Sequence, residues 1–324
     1  MKAKKPLRLA LAFLAFMVFL PVSALAIQIA PFYTGSYTFS DLGSVPGVLT
    51  PYGGLTLKAG DSSTLLIGGG ANSADGKLYS IGVTRGVGNH ITGFTGSAAV
   101  FAEAAYNDGG VQYDPGGVLF VTRWPGNQLG QIKPGSVITD KIVNLAPLGV
   151  TESPGGLAFV PSGFQGAGQL KIASYVDGGW YTLGYSLDGS GTYDITSAIR
   201  NTTITVGSEG IAYIPMGSSL FGLPSIIVSE NLDDKIATYE VDANGNPKVA
   251  SRKDFITGLS GPMGAFIDPL TGDFLFTTFN GDNFIGNNFI VVQGTDTQIP
   301  VPPTVLLLGS GLLGLVGFRR FRKS

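Results

Sequence analysis

Between residues 52 and 294 the apolar positions come in short bursts and not at helical spacing. The runs "TLLIGG", "GVLFVTR", "LKIASY", "SIIVSEN" and "FLFTTFN" are rich in β-branched and aromatic residues and are bounded by Gly, Pro, Asn or Asp. Such runs read as buried strands. Each follows, after a turn, a glycine-containing apolar opening: "YGGLTL", "DGGVQYDPGG", "PGGLAFVP", "SEGIAYIP" and "GPMGAFIDP". Each precedes a more alternating run. In "KIATYEVD", Ile236, Thr238 and Glu240 share one side and Ala237, Tyr239 and Val241 the other, so the side with Thr238 and Glu240 is expected to be the wetter one.

Taking Gly54, Gly110, Gly156, Gly210 and Gly264 as equivalent points, the steps are 56, 46, 54 and 54 residues. A period near 50 is that of stacked four-stranded blades. Turn chemistry agrees, with Asp75-Gly76, Asp188-Gly189, Asn244-Gly245 and the "DPLTGD" segment, Asp268 to Asp273, where hairpins should reverse. No convincing helical period occurs outside the two termini. The chain is therefore expected to be all-β, a β-propeller of five or six four-stranded blades, with "IQIAPFYTGSYTF" supplying strands that close the ring. A β-sandwich of similar strand content is the competing architecture.

The termini are of another kind. Residues 1–26 have a basic start, an apolar stretch from Leu9 to Val22, and Ala24-Leu25-Ala26, the pattern of a secretory signal peptide. Residues 299–324 carry a proline hinge, an apolar run and a basic cluster. The run from Val301 to Phe318 is 18 residues, about 27 Å as a helix, a marginal span of a hydrocarbon core near 30 Å. Its basic flank marks a cytoplasmic end. Residues 27–298 form the expected ectodomain.

Eight of the 20 basic residues lie in these two terminal segments and none of the 22 acidic ones do, which leaves the body at a net charge of −10. This argues against nucleic acid or an anionic membrane surface as partner. Cysteine is absent, so neither disulfides nor thiolate metal sites stabilise the fold.

The tail resembles the PEP-CTERM sorting signal. Ile299 stands for the Val of "V-P-E-P-S-T", Pro300 and Pro302 for its prolines and Thr304 for its Thr, while Val301 replaces the Glu and Pro303 the Ser; Arg319, Arg320, Arg322 and Lys323 form the basic stop. The resemblance implies a membrane-anchored precursor, an exosortase-like sorting enzyme as partner, and delivery to the cell surface or exopolysaccharide matrix of a Gram-negative-type bacterium. A permanent single-span anchor and a buried C-terminal helix are the competing readings of the same residues.

The repeat openings together with "SENLDDKIATYEVDANGNP" (Ser229 to Pro247) resemble, diffusely over about Gly53 to Gly294, the NHL and gluconolactonase-like propellers. That resemblance implies a divalent ion at the ring centre, held by a Glu, an Asn and an Asp from different blades. Glu209 matches by preceding a repeat glycine; Asn231 and Asp268 sit more loosely where an amide and an acid would be. Calcium is the ion such oxygen ligands suit. The bland alternative makes Glu209 and Asn231 rim residues and Asp268 the start of an ordinary turn.

Little else points to catalysis. His90 is the only histidine, expected at a turn or strand edge bonded to backbone, so a Ser-His-acid triad and a usual zinc site are both poorly supplied. Trp124 and Trp180, with Tyr175, Tyr181 and Tyr185, are candidates for stacking on sugars or, more commonly, for the core. Arg123 reads as a structural arginine and Asp233-Asp234 as a solvated hairpin tip. Two functions stay in play: a non-enzymatic surface propeller binding matrix glycan or protein, and a calcium-dependent propeller hydrolase of the lactonase type. Acids and amides clustered at the channel mouth would favour the hydrolase, and an apolar plug would count against it.

Overall fold

The computed structural model describes residues 26–279 and 287–295; the expected signal peptide (but for Ala26) and the sorting tail lie outside them. Two N-terminal strands, β1 (Gln28–Ile29) and β2 (Tyr37–Asp41), precede the repeats. Blade 1 is β3 (Tyr52–Lys58), β4 (Asp61–Gly69), β5 (Lys77–Arg85) and β6 (Ile91–Glu103). Blade 2 is β7 (Asn107–Tyr113), β8 (Leu119–Arg123), β9 (Gln128–Ile132) and β10 (Lys141–Asn144). Blade 3 is β11 (Pro154–Phe159), β12 (Leu170–Ser174), β13 (Gly179–Leu187) and β14 (Tyr193–Thr203). Blade 4 is β15 (Ser208–Ile214), β16 (Ser225–Glu230), β17 (Lys235–Glu240) and β18 (Lys253–Thr257), and blade 5 begins with β19 (Pro262–Ile267), β20 (Phe274–Thr278) and β21 (Phe289–Gly294).

All pairings are antiparallel, and the number of blades is five. The N-terminal strands do help close the ring: β2 pairs with β21 as the outermost strand of blade 5, and β1 adds a fifth strand to blade 4 through β18. The chain that leads into blade 1 is thus hydrogen-bonded into blades 4 and 5, which completes blade 5 and closes the ring. The inner strands β3, β7, β11, β15 and β19 touch in sequence and β19 returns to β3. The five apolar runs read from sequence are the second strands, β4, β8, β12, β16 and β20. They are buried on both faces because each blade is sandwiched. Leu65 and Ile67 pack toward blade 5 and Leu66 toward blade 2; Ile226 and Val228 pack toward blade 3 and Ile227 toward blade 5. Five apolar clusters result, one at each blade interface.

The expectation for β17 needs correcting. Thr238 does not face water; it is buried and hydrogen-bonds to the Tyr33 hydroxyl at 2.9 Å. Alternation marks a solvated face only where one side of a sheet is free. Here the N-terminal segment, through Tyr33, covers that side with Phe221 and Phe255.

The repeat glycines sit where the inner strands meet. A Cβ on Gly54 would stand 2.6 Å from the Gly109 carbonyl oxygen, on Gly110 2.8 Å from the Leu157 nitrogen, and on Gly264 2.9 Å from the Gly54 Cα. On Gly156 and Gly210 it would overlap the Glu209 carbonyl oxygen and the Ala265 nitrogen outright. Five blades close so tightly that each glycine backs directly onto the next inner strand. Beyond this ring the channel is narrow and lined chiefly by apolar side chains, among them Val111, Leu157, Ile211 and Ala265, around a cavity of about 80 Å³.

Candidate functional site

One face of the ring carries a pocket built from a single repeated position. After its second strand each blade returns a backbone N–H to the residue just before its inner strand: Ala71 to Pro51 (3.0 Å), Trp124 to Tyr106 (3.1 Å), Tyr175 to Ser153 (2.7 Å), Asn231 to Gly207 (2.8 Å) and Phe279 to Gly261 (2.7 Å). Four of these five side chains line a pocket of about 230 Å³, with Asn72 contributing beside Ala71 and with Glu209 and Met263 below. The backbone bond is the same in every blade and the side chains differ in every blade.

The floor is set one residue before each repeat glycine, at Gly53, Gly109, Gly155, Glu209 and Met263. Glu209 reaches across the channel into room left by missing side chains. A Cβ on Gly155 would lie 2.8 Å from Glu209 Oε2, and one on Gly109 would collide with the same oxygen. In blade 2 an additional residue precedes the glycine pair and brings Asp108 to the same place. Both carboxyls lie against the Gly109 backbone N–H. Asn72, turned with its nitrogen toward Asp108, donates to Asp108 Oδ1 at 3.1 Å and to the Asn107 carbonyl at 3.2 Å.

The charge balance of this floor is unusual. Asp108 and Glu209 are 1% and 3% exposed, and Asp108 Oδ2 and Glu209 Oε2 have no hydrogen-bond partner. No cation among the described residues pairs with either. Burial pushes the Asp108 carboxyl up to about 8 against the pull of the Asn72 and Gly109 donors. Burial, and then the neighbouring Asp108, raise Glu209 well above the carboxylate range. Buried carboxyls in this state hold a proton or await a positive partner.

Of the three residues expected to hold an ion, Glu209 and Asn231 line this pocket and Asp268 does not. Asp268 follows β19 at its far end, about 17 Å along the strand from Met263, where it takes a 2.6 Å ion pair from Arg85 of blade 1. It belongs to the seam between blades 5 and 1. Asp108 lies beside Glu209 instead, and Glu209 shares the pocket with Asn231; the two carboxyls would match a divalent cation in charge. Among the described residues no group of three or more His, Cys, Asp or Glu side chains converges.

His90 sits at a turn, just before β6, but its partner is a carboxylate: Nδ1 lies 2.8 Å from Asp273, next to the Arg85–Asp268 pair. Both pairs clasp the blade 5 to blade 1 seam, far from the pocket. The aromatic candidates separate cleanly. Trp124, 39% exposed, and Tyr175 are at the pocket. Trp180 and Tyr181 are core, and Tyr185 donates to the Gly168 carbonyl at 2.6 Å. Arg123 is buried, with Nε donating to Gln128 Oε1 at 3.2 Å and its guanidinium over the Tyr106 ring. Asp233 and Asp234 are exposed at the β16–β17 turn.

The strand end that presents Asn231 is anchored by its neighbour. The fully buried Glu230 carboxylate accepts from Tyr239 Oη (2.5 Å) and Arg252 Nε (3.0 Å), and from Arg252 Nη2. Removing one member of a buried pair strands the other charge. Arg252→Ala is expected to cost about 3 kcal/mol, read as a fall in Tm of roughly 10 °C in thermal unfolding. Substituting Lys248, whose pair with Glu240 is exposed, should leave Tm unchanged.

No family model matches the chain, and no curated protein matches it. Among solved structures, an auxiliary nutrient binding protein from Bacteroides thetaiotaomicron aligns at 11% identity with a TM-score of 0.45, over 84% of this chain and 69% of that one. Virginiamycin B lyase from Staphylococcus aureus aligns at 13% and 0.39, over 79% and 99%, and a suggested gluconolactonase at 14% and 0.39, over 83% and 98%. Similarities this low carry nothing about the chemistry of the pocket.

Proposed function

We propose that this chain is an exported β-propeller that acts as a binding module at the cell surface or in the extracellular polysaccharide matrix, sorted there by an exosortase-type enzyme through residues 299–324. The observation that carries the binding role is the repeated mouth position. Where the fold demands a residue, the five blades agree on glycine; at the repeated mouth position they carry Ala, Trp, Tyr, Asn and Phe, the last four lining the pocket above two buried carboxyls. Divergence on an identical backbone, around a concave floor with unpartnered polar atoms, is the pattern of recognition. The tripartite tail supports the sorting step, and the acidic body supports a neutral or cationic ligand.

The competing reading is a calcium-dependent hydrolase, which draws on the same carboxyls. An ion there would be held by Asp108, Glu209 and Asn231 and would polarise a carbonyl or a bound water. Thermal unfolding of the protein in chelator and then in excess calcium separates the two. The binding role predicts the same Tm in both. An ion at about 100 times its Kd adds roughly 2.7 kcal/mol, a rise of several degrees that would hand the pocket to the hydrolase.

A further inference from the structure

The pocket's composition says more than that it binds. Its lower part is acidic and unpaired: Glu209 Oε2 and Asp108 Oδ2 are buried oxygens with no hydrogen-bond partner. Its walls are flat and apolar, with Trp124, Tyr175 and Phe279 from three different blades and Met263 from the inner strand of the blade that carries Phe279. A hard metal ion wants six to eight oxygens, yet Asn231 Oδ1 already faces the Tyr175 hydroxyl at 3.4 Å and its Nδ2 faces the Pro262 carbonyl and the Met263 sulfur. Aromatic faces and a thioether do not ligate such an ion; they do attract an organic cation. About 230 Å³ is less than the ~300–1,000 Å³ of drug-sized sites. It is room for one ring, not for a stretch of polymer.

We infer that the pocket takes a protonated amino sugar, its ammonium set against Glu209 and Asp108 and its ring stacked among Trp124, Tyr175 and Phe279. An ammonium offers three donors and a positive charge, which is what two buried, unpartnered carboxyls lack. The apolar face of a pyranose matches an aromatic side chain. Asn72, at the rim, supplies an amide for a ring hydroxyl. The inference rests on the binding reading of this pocket and adds to it the charge and class of the ligand.

Trp124 reports on the site, because the other tryptophan, Trp180, is fully buried and shielded from a polar quencher. Full-length protein in detergent would be titrated with D-glucosamine and, separately, with N-acetyl-D-glucosamine, following protection of tryptophan fluorescence from acrylamide. D-glucosamine is expected to protect, N-acetyl-D-glucosamine to bind at least tenfold more weakly, and Glu209→Gln to lose at least tenfold in D-glucosamine affinity while still unfolding cooperatively. Trp124→Phe, at the rim, removes the signal and serves as the check that it arises there. Equal protection by both sugars, or undiminished D-glucosamine binding by Glu209→Gln, overturns the ammonium assignment and leaves the binding role intact. Protection by neither sugar overturns it as well, and the calcium melt then decides between binding and hydrolysis. Protection by calcium alone assigns the carboxyls to an ion.

Discussion

Gly156→Ala and Gly210→Ala are expected to lower Tm by 10 °C or more, while Gly93→Ala leaves it unchanged. The added methyl is the same in all three. At Gly93, on β6, nothing lies within 4 Å of the new Cβ. At Gly156 it overlaps the Glu209 carbonyl oxygen, and at Gly210 it overlaps the Ala265 nitrogen. Overpacking of side chains costs about 1–3 kcal/mol because rotamers can yield. Backbone has no rotamer to escape into, so at least ~3 kcal/mol is the appropriate scale, about 10 °C for a domain of this size. Thermal unfolding followed by circular dichroism checks it. A Gly156→Ala protein melting with the wild type would mean that the ring can breathe, and the closure described above would be wrong.

The same substitution would reach the pocket, because Gly156 abuts the residue that carries the floor carboxylate. Widening the seam between blades 3 and 4 withdraws Glu209 from Gly109 and Gly155, whose missing side chains make room for it. Fold and site are linked at one atom layer. A blade glycine is therefore a structural requirement and, one residue earlier, a steric permission for function.

Much of this was legible in the sequence. The five glycines, the second strands and the Asp-Gly and Asn-Gly turns follow from short-range chemistry; the glycines and second strands sit at equivalent places in the five blades, while Asp75-Gly76 joins a second to a third strand and Asp188-Gly189 and Asn244-Gly245 join third to fourth strands. Thr238 misled because a propeller strand has no free face once an N-terminal segment lies against it. Asp268 misled because sequence spacing cannot tell the near end of an inner strand from the far one; six residues separate it from the first residue of β19, and that is the depth of the ring. Asp108 was missed although its signal was present: aligned on Gly110, blade 2 carries one residue more before its glycines, and that residue displaces an acid into the position of Glu209. Asn72, Met263 and Phe279 had no such signal, since a pocket assembled from one residue per blade leaves no local motif.

Acidification from pH 8 to pH 5 is expected to stabilise the ligand-free protein, and Glu209→Gln to remove much of that response. Asp108 ionises near 4 when unfolded and at about 8 when folded; Glu209 is raised in the same sense. A carboxyl whose folded pKa is raised contributes stability that is fully present below about pH 4 and lost as pH rises through the folded value. The two groups lie side by side, so both act in the same direction and the loss on going to pH 8 is shared between them. Tyr175, raised by its own burial and by the two carboxyls, stays neutral throughout and does not offset it. Below about pH 4 the trend must reverse, because Asp242 and Asp254, whose hydrogen-bond and ion-pair partners hold them below the usual carboxylate range, then lose those interactions. The curve should peak near pH 4. Calorimetry at pH 5, 6.5 and 8 tests this on wild type and on Glu209→Gln, whose amide keeps the shape and removes the charge. The variant should be the more stable of the two at pH 8. A wild-type Tm that falls steadily from pH 8 to pH 5 would show that the two carboxyls are already neutralised by a positive partner, and adding or removing that partner would then be the variable to follow.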